Sequence, residues 1–172
     1  MWNPDTYMKF SDMRTRPALE LASRCQPVGA PGNDRVIYDL GCGPGNSTQV
    51  LASLFPDARI TGVDSSKEML DRAAKEGPAG VNWQEGDLND WTAPEPAVLI
   101  FSNSAYNWLP GHDRLFPRLI EHLNDGGELA IQMPQNFSEP SHALMRETVA
   151  KGPFKERLSG ILRHGIVRSP QE

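Results

Sequence analysis

The chain has 172 residues, with 17 Lys and Arg against 22 Asp and Glu, a net charge of −5 and a hydrophobic share of 38%. That length and composition predict one ordinary globular domain that buries about two thirds of its unfolded surface, and they exclude a disordered chain. The acidic balance and the lack of a basic run exclude phosphate-backbone recognition, and no apolar stretch approaches the roughly 18 residues of a membrane span. The expected partner is therefore a small molecule, with neither nucleic acid nor membrane. The start MWNPDTYMKF has no signal-peptide pattern, which predicts a cytoplasmic location.

In chain order, Pro17 to Arg24 reads as a short helix with proline in its first turn, Leu21 lying four residues on. Cys25 and Cys42 have no metal-holding spacing, so two free thiols and no metal site are expected. Val36 to Leu40 (VIYDL) is the first strand, followed by a helix from Asn46 to Phe55 that stops at Pro56. Arg59 to Asp64 is the second strand. The next helix, Ser66 to Lys75, begins at the Ser65/Glu68 spacing of a capping box and stops at Gly77. Val81 to Glu85 and Ala97 to Ser102 are the third and fourth strands. Leu115, Phe116, Leu119, Ile120 and Leu123 fall at helical spacing as a core face, and Asn124 to Gly127 reads as that helix's stop. Glu128 to Met133 is the fifth strand, and Pro140 to Lys151 a further helix.

Short apolar runs alternating with longer helical ones predict an α/β fold, a doubly wound parallel sheet with helices on both faces. The expected organisation is a single domain, 1–172, with a helical segment at 1–34, a core at 35–134 and a helical tail at 135–172. The last residues, Ser169-Pro170-Gln171-Glu172, have the form of a helix start, so the chain is expected to be truncated there.

Chemistry is concentrated after the first strand, in Asp39-Leu40-Gly41-Cys42-Gly43-Pro44-Gly45. Glycines there let the backbone turn with positive φ and let a ligand approach the peptide plane at the carboxyl edge of the sheet, which implies a nucleotide-like cofactor. A dinucleotide fingerprint counted from Gly41 needs its third glycine at position 46, which is Asn46. Asp64, closing the second strand, is placed to accept hydrogen bonds from both hydroxyls of a ribose, a feature that serves several cofactors equally. Asp87, in Glu85-Gly86-Asp87-Leu88, is a third acid at the carboxyl edge, with a solvated turn as its alternative reading.

The order D-x-G-x-G-x-G resembles the first motif of S-adenosylmethionine-dependent methyltransferases. Further strings resemble the trans-aconitate methyltransferases: Trp2-Asn3-Pro4 with Tyr7 and Phe10, Arg16-Pro17, DLGCGPGNST, ITGVDSS with Met69-Leu70, Asn107-Trp108-Leu109-Pro110 with His112, Gln132-Met133-Pro134, and Leu144-Met145-Arg146-Glu147. The resemblance implies the Rossmann-like class I methyltransferase fold, with its last two strands missing from this chain. It also implies S-adenosyl-L-methionine as cofactor, S-adenosyl-L-homocysteine as product, and a small polycarboxylic acid as the methylated partner.

The resemblance further implies a cofactor site made of Tyr7, Arg16, Asp39, Gly41, Cys42, Gly43, Asp64, Ser65, Asp87, Leu88 and Asn103. In it Asp39 lies near the ammonium group, Asp87 near the adenine amine, and Asn103 faces the methyl group. A carboxylate with a pKa near 4 is already ionised at neutral pH, so no catalytic base is required and the protein's role is alignment. Asn103, Trp108 and His112 are the positioning candidates, His112 being either a helix-start or pocket residue or an acceptor contact. Arg14, Arg16 and Arg146 are the candidate cations for the acceptor, because guanidinium pairs with carboxylate in a fork. An ordinary surface arginine is the alternative for each, and the cofactor's carboxylate a further one for Arg16. Tyr106 and Trp108 either wall the acceptor pocket or pack the core. The rivals are a methyltransferase for another small-molecule acid, an NAD-dependent oxidoreductase and a non-catalytic cofactor-binding fragment.

Overall fold

Strand β1, Val36–Leu40, is buried at all its positions, as a strand covered on both faces must be. In the computed structural model, which describes residues 11–27, 35–158, 162 and 167, it lies at the centre of a five-stranded parallel sheet of order β3-β2-β1-β4-β5. The other strands are β2 (Arg59–Asp64), β3 (Asn82–Glu85), β4 (Ala97–Asn103) and β5 (Leu123–Gln132). Ile37 pairs with Ile60 of β2 on one side and with Leu99 of β4 on the other. The strand order reverses between β1 and β4, the switch point where an open sheet of this kind leaves a crevice beyond its carboxyl ends. The α/β doubly wound reading therefore holds.

Helices α1 (Ser11–Ala22), α2 (Asn46–Leu54), α3 (Lys67–Glu76) and α4 (His112–Ile120) complete this part of the chain, with a 3-10 turn at Tyr106–Trp108 before α4. Ala18 and Ala22 of α1 and Val50 and Leu51 of α2 pack with Ile37, Leu99 and Phe101 in one core cluster. Trp83 of β3 packs differently, its indole pressing on three glycines. A Cβ added at Gly62 would come within 2.6 Å of the ring, one at Gly77 within 2.7 Å and one at Gly45 within 3.0 Å.

Four local expectations are corrected. Helix α1 begins at Ser11, and Pro17 lies inside it, so the proline marks no first turn. The hydrogen bond that its missing N–H forfeits is offset by burial of Ala18 and Ala22, both 1% exposed. The cap of α3 is Ser66, not Ser65: the Asp64 carboxylate takes the Ser66 N–H, which puts Ser65 in the intervening turn, and Ser66 Oγ accepts from Met69 N–H at 3.3 Å. The run Asn124 to Gly127 stops no helix. Helix α4 already ends at Ile120, Leu123 pairs with Ala97, and the register then jumps so that Leu99 meets Glu128. Those residues are an irregularity inside β5, which Gly126 helps to turn at φ +77°. Finally, Leu115 and Leu119 are buried as expected, whereas Ile120 is 56% exposed because it occupies the last turn, off the packed face.

Two compact units divide the chain, Met1–Gln132 and Met133–Glu172. The second contains α5 (Pro140–Lys151), at the expected limits with Pro140 in its first turn, and α6 (Lys155–Leu158). Residues 1–10 and 168–172, which carry the Trp-Asn-Pro start, Tyr7 and the helix-like ending, lie outside the described residues. No described helix is long and apolar enough to cross a membrane.

Candidate functional site

The backbone leaves β1 at Leu40 and turns at Gly41, where φ is +76°. Both the Gly41 and Cys42 N–H groups donate to the carbonyl of Val63 on β2, at 2.8 and 3.0 Å. A Cβ at Gly41 would lie 2.2 Å from that of Ala105, so the residue has no steric alternative there. Gly43, at φ +55°, faces open space, with nothing within 4 Å of an added Cβ. Its N–H donates to Oδ2 of Asp64 at 2.8 Å, while Oδ1 of the same carboxylate accepts from Ser66 N–H at 2.8 Å. One side chain thus ties the glycine loop to the start of α3. Each carboxylate oxygen accepts one hydrogen bond and has a lone pair left for a second, so capacity for incoming hydroxyls remains on both.

Around this loop, at the carboxyl edge of the sheet, lies a cavity of about 260 Å³. Asp64, Ser65 and Asp87 supply polar groups towards β2 and β3; Met69, Leu88, Trp108 and Leu109 supply apolar walls. The Asp87 carboxylate accepts both the backbone and the side-chain N–H of Asn89, all on Oδ1, and these bonds hold it below the usual carboxylate range. Its Oδ2 takes no part in that turn. Polar acceptors at one end and flat apolar surfaces between them suit a nucleoside, whose hydroxyls and amine are donors and whose base is planar.

Other expected site residues are placed elsewhere. Asp39 is fully buried beneath the loop, not in the cavity wall; its Oδ2 accepts the hydroxyls of Ser47 at 2.7 Å and Thr48 at 2.6 Å, and Oδ1 has no partner. Desolvation, only partly offset by the two hydroxyls, pushes its pKa up to about 6. Cys42 is buried too, and burial raises its thiol pKa well above the ordinary value, so it is a packing group. Arg16 is solvent-facing on α1, where Glu20 one turn away takes its Nε at 2.7 Å. Tyr106 fills the core rather than a pocket wall: it is completely buried, edge-on to Phe116. His112 opens α4; its Nε2 donates to the Tyr106 carbonyl at 2.8 Å and its ring stacks on Phe116, the helix-start alternative. Trp108 does line the cavity and is 46% exposed. Asn103 ends β4 with a buried, unpartnered Oδ1. Arg14 falls on α1 and Arg146 on α5, in the other unit.

Sequence reasoning missed Ser104, Ala105 and Leu109 as lining residues. Ser104 has φ +59°, the one positive value at a non-glycine among the described residues, and no serine announces that conformation in a sequence. Leu109 and Met69 stood inside strings noticed for their resemblance, where an apolar residue reads equally well as core.

An open parallel sheet with a glycine loop at its switch point and acids closing two neighbouring strands defines a nucleoside-binding α/β protein. Residues 37–127 match the family described as a methyltransferase domain, and the chain belongs to that family. Among curated proteins it is 49% identical over 160 residues to the trans-aconitate 2-methyltransferase of Azoarcus sp. (strain BH72), covering 92% of this chain and 60% of that one. To the enzyme of the same name from Streptomyces coelicolor it is 44% identical over 168 residues, 95% of this chain and 55% of the relative. The chain thus spans a little over half the length of these relatives. Among solved structures, the plantazolicin methyltransferase BpumL in complex with a substrate analogue and SAH superposes with a TM-score of 0.60 at 18% identity, over 98% of this chain and 57% of that one. A phosphoethanolamine N-methyltransferase of Haemonchus contortus in complex with S-adenosyl-L-methionine gives 0.60 at 24%, over 77% and 32%. At these identities the likeness is one of fold.

Proposed function

We propose that this chain is the cofactor-binding part of an S-adenosyl-L-methionine-dependent O-methyltransferase that esterifies one carboxylate of trans-aconitate or a similar small polycarboxylic acid. The observation that carries the reading is the Asp64 carboxylate, fixed by Gly43 and Ser66 at the wall of a cavity whose far polar group is Asp87. The names of the relatives support the choice of acceptor.

The residues fit the cofactor. The open space over Gly43 admits a ligand against the backbone, Asp64 has lone pairs left for two ribose hydroxyls, and Asp87 Oδ2 is available to an adenine amine. Met69 and Leu88 offer apolar surface for a purine. When bound, S-adenosyl-L-methionine supplies an electrophilic methyl group on a sulfonium. The protein's share of the reaction is then small in chemical terms. It holds an already ionised carboxylate oxygen in line against the apolar walls of Trp108 and Leu109, so that a bimolecular encounter becomes a positioned one. Asp39 supports the site from beneath, fixing Ser47 and Thr48 at the start of α2.

Incubation with methyl-labelled S-adenosyl-L-methionine and trans-aconitate should yield a labelled ester that base hydrolyses to methanol. Label transferred only to amines or other acceptors would overturn the acceptor assignment, and binding of NADH without binding of S-adenosyl-L-homocysteine would overturn the cofactor.

A further inference from the structure

Ser104 and Gln132 form a polar pair at the carboxyl ends of β4 and β5 that the proposed reaction has not yet used. The Ser104 N–H donates to the Gln132 carbonyl at 2.9 Å, extending the β4-β5 ladder by one step beyond Asn103. The Ser104 hydroxyl then donates to Gln132 Oε1 at 3.0 Å. The backbone bond holds the two residues side by side, and the hydroxyl bond fixes the carboxamide by its oxygen. That leaves its Nε2, with two N–H donors, free to serve another group, and no described residue accepts from it.

Ser104 is held for this in a left-handed backbone conformation that is costly for any residue with a Cβ, and such strain in a cavity wall marks a position whose geometry matters more than its stability. Strand order fixes where the pair stands. Read along the carboxyl edge, Asp87 follows β3, Asp64 ends β2, Gly41 follows β1, Ser104 follows β4 and Gln132 ends β5. The strands ending in Asp64 and Asn103 are two spacings apart, about 10 Å. With the nucleoside on the two acids, the pair therefore lies on the opposite flank of the glycine loop, the flank that the nucleoside leaves open to an acceptor.

We infer that Gln132, oriented by Ser104, binds a carboxylate of the acceptor through its carboxamide N–H₂, with Ser104 acting as the positioning residue. This rests on the proposed function, since it assigns a donor to that reaction's acceptor. A neutral donor suits this role because it fixes an ionised carboxylate without the charge that would tie up the attacking oxygen.

The test is calorimetric titration of trans-aconitate into the full chain preloaded with S-adenosyl-L-homocysteine, a readout that needs no turnover. Gln132→Glu keeps the side-chain shape and the bond from Ser104 but replaces the donor with a negative charge. It should weaken trans-aconitate binding about tenfold or more while changing S-adenosyl-L-homocysteine affinity less than about twofold. Ser104→Gly relieves the strained φ and frees the carboxamide, so it should weaken trans-aconitate binding with a Tm equal to or above that of the parent. Unchanged trans-aconitate affinity in both variants would overturn the assignment and leave the reaction standing. Equal losses of cofactor and acid affinity would also overturn it, because the pair would then serve the fold or the cofactor. A parent protein that binds S-adenosyl-L-homocysteine but no trans-aconitate would overturn the acceptor reading itself, and this inference with it.

Discussion

Asp64 works through both of its carboxylate oxygens at once. Read from the sequence alone, it has one role, as acceptor for two ribose hydroxyls. The structure adds that the side chain holds Gly43 and Ser66, two backbone donors on different elements, before any ligand arrives. Hydrogen bonds to a charged group are worth about 1.5–3 kcal/mol each in a desolvated site and less in this partly exposed one. Asp64→Ala should therefore lower the stability of the unliganded protein by about 1–3 kcal/mol in urea titration, and weaken S-adenosyl-L-homocysteine at least tenfold in calorimetry. Asp39 carries a different signature. Its carboxyl titrates near 6 when folded against 3.8 as its ordinary value, so between those pH values the folded state keeps a proton that the unfolded state has lost. The contribution of Asp39 to stability then falls as pH rises from about 4 to 6, by an amount on the order of 3 kcal/mol, and stays level above. Denaturation midpoints measured from pH 4 to 8 should show Asp39→Asn gaining on the parent across that interval and holding its advantage beyond it.

At the scale of elements, the start of α3 depends on one hydroxyl. Ser66→Ala removes the acceptor for Met69 N–H and should cost about 1 kcal/mol in urea unfolding, whereas Ser65→Ala should change little. That contrast also shows how far the sequence could be read. β1 and β2 were legible to the residue because each is a short run centred on β-branched residues, with a glycine or an acid at its end. The cap of α3 was misplaced by one position because the deciding group, the Asp64 carboxylate, acts across a turn that spacing alone does not describe. Pro17 and the glycines at 126 and 127 were read by their local habit, whereas helix packing and a register shift decided their roles. The acids of the site were legible because strand ends announce them. Ser104 and the burial of Tyr106 were not, since one depends on a backbone angle and the other on what packs above it.

For the molecule as a whole, the site is a line along one sheet edge, and its parts come from segments far apart in sequence that only the folded sheet brings together. A ligand bound there is a ligand of the folded state. S-adenosyl-L-homocysteine at one hundred times its dissociation constant adds about 2.7 kcal/mol, which for a chain of this size raises Tm by roughly 5–10 °C. NADH at the same concentration should leave the scan unchanged; a shift with NADH alone would contradict the reading of the glycine loop. The net charge of −5 bears on the acceptor. A polyanion must approach against it, which makes local donors such as the Gln132 carboxamide matter more than the average field.

Trp83 belongs to an edge strand, yet its ring rests on Gly45 of the cofactor loop, Gly62 of β2 and Gly77 at the end of α3. The packing couples these four positions sterically. A methyl group gained at 62 has nowhere to go while the indole stays, and an indole lost at 83 leaves a hollow beneath the loop that three bare glycines cannot fill. The large residue and its small neighbours form a single packing unit, so a side chain larger than hydrogen at 45, 62 or 77 requires a smaller ring at 83.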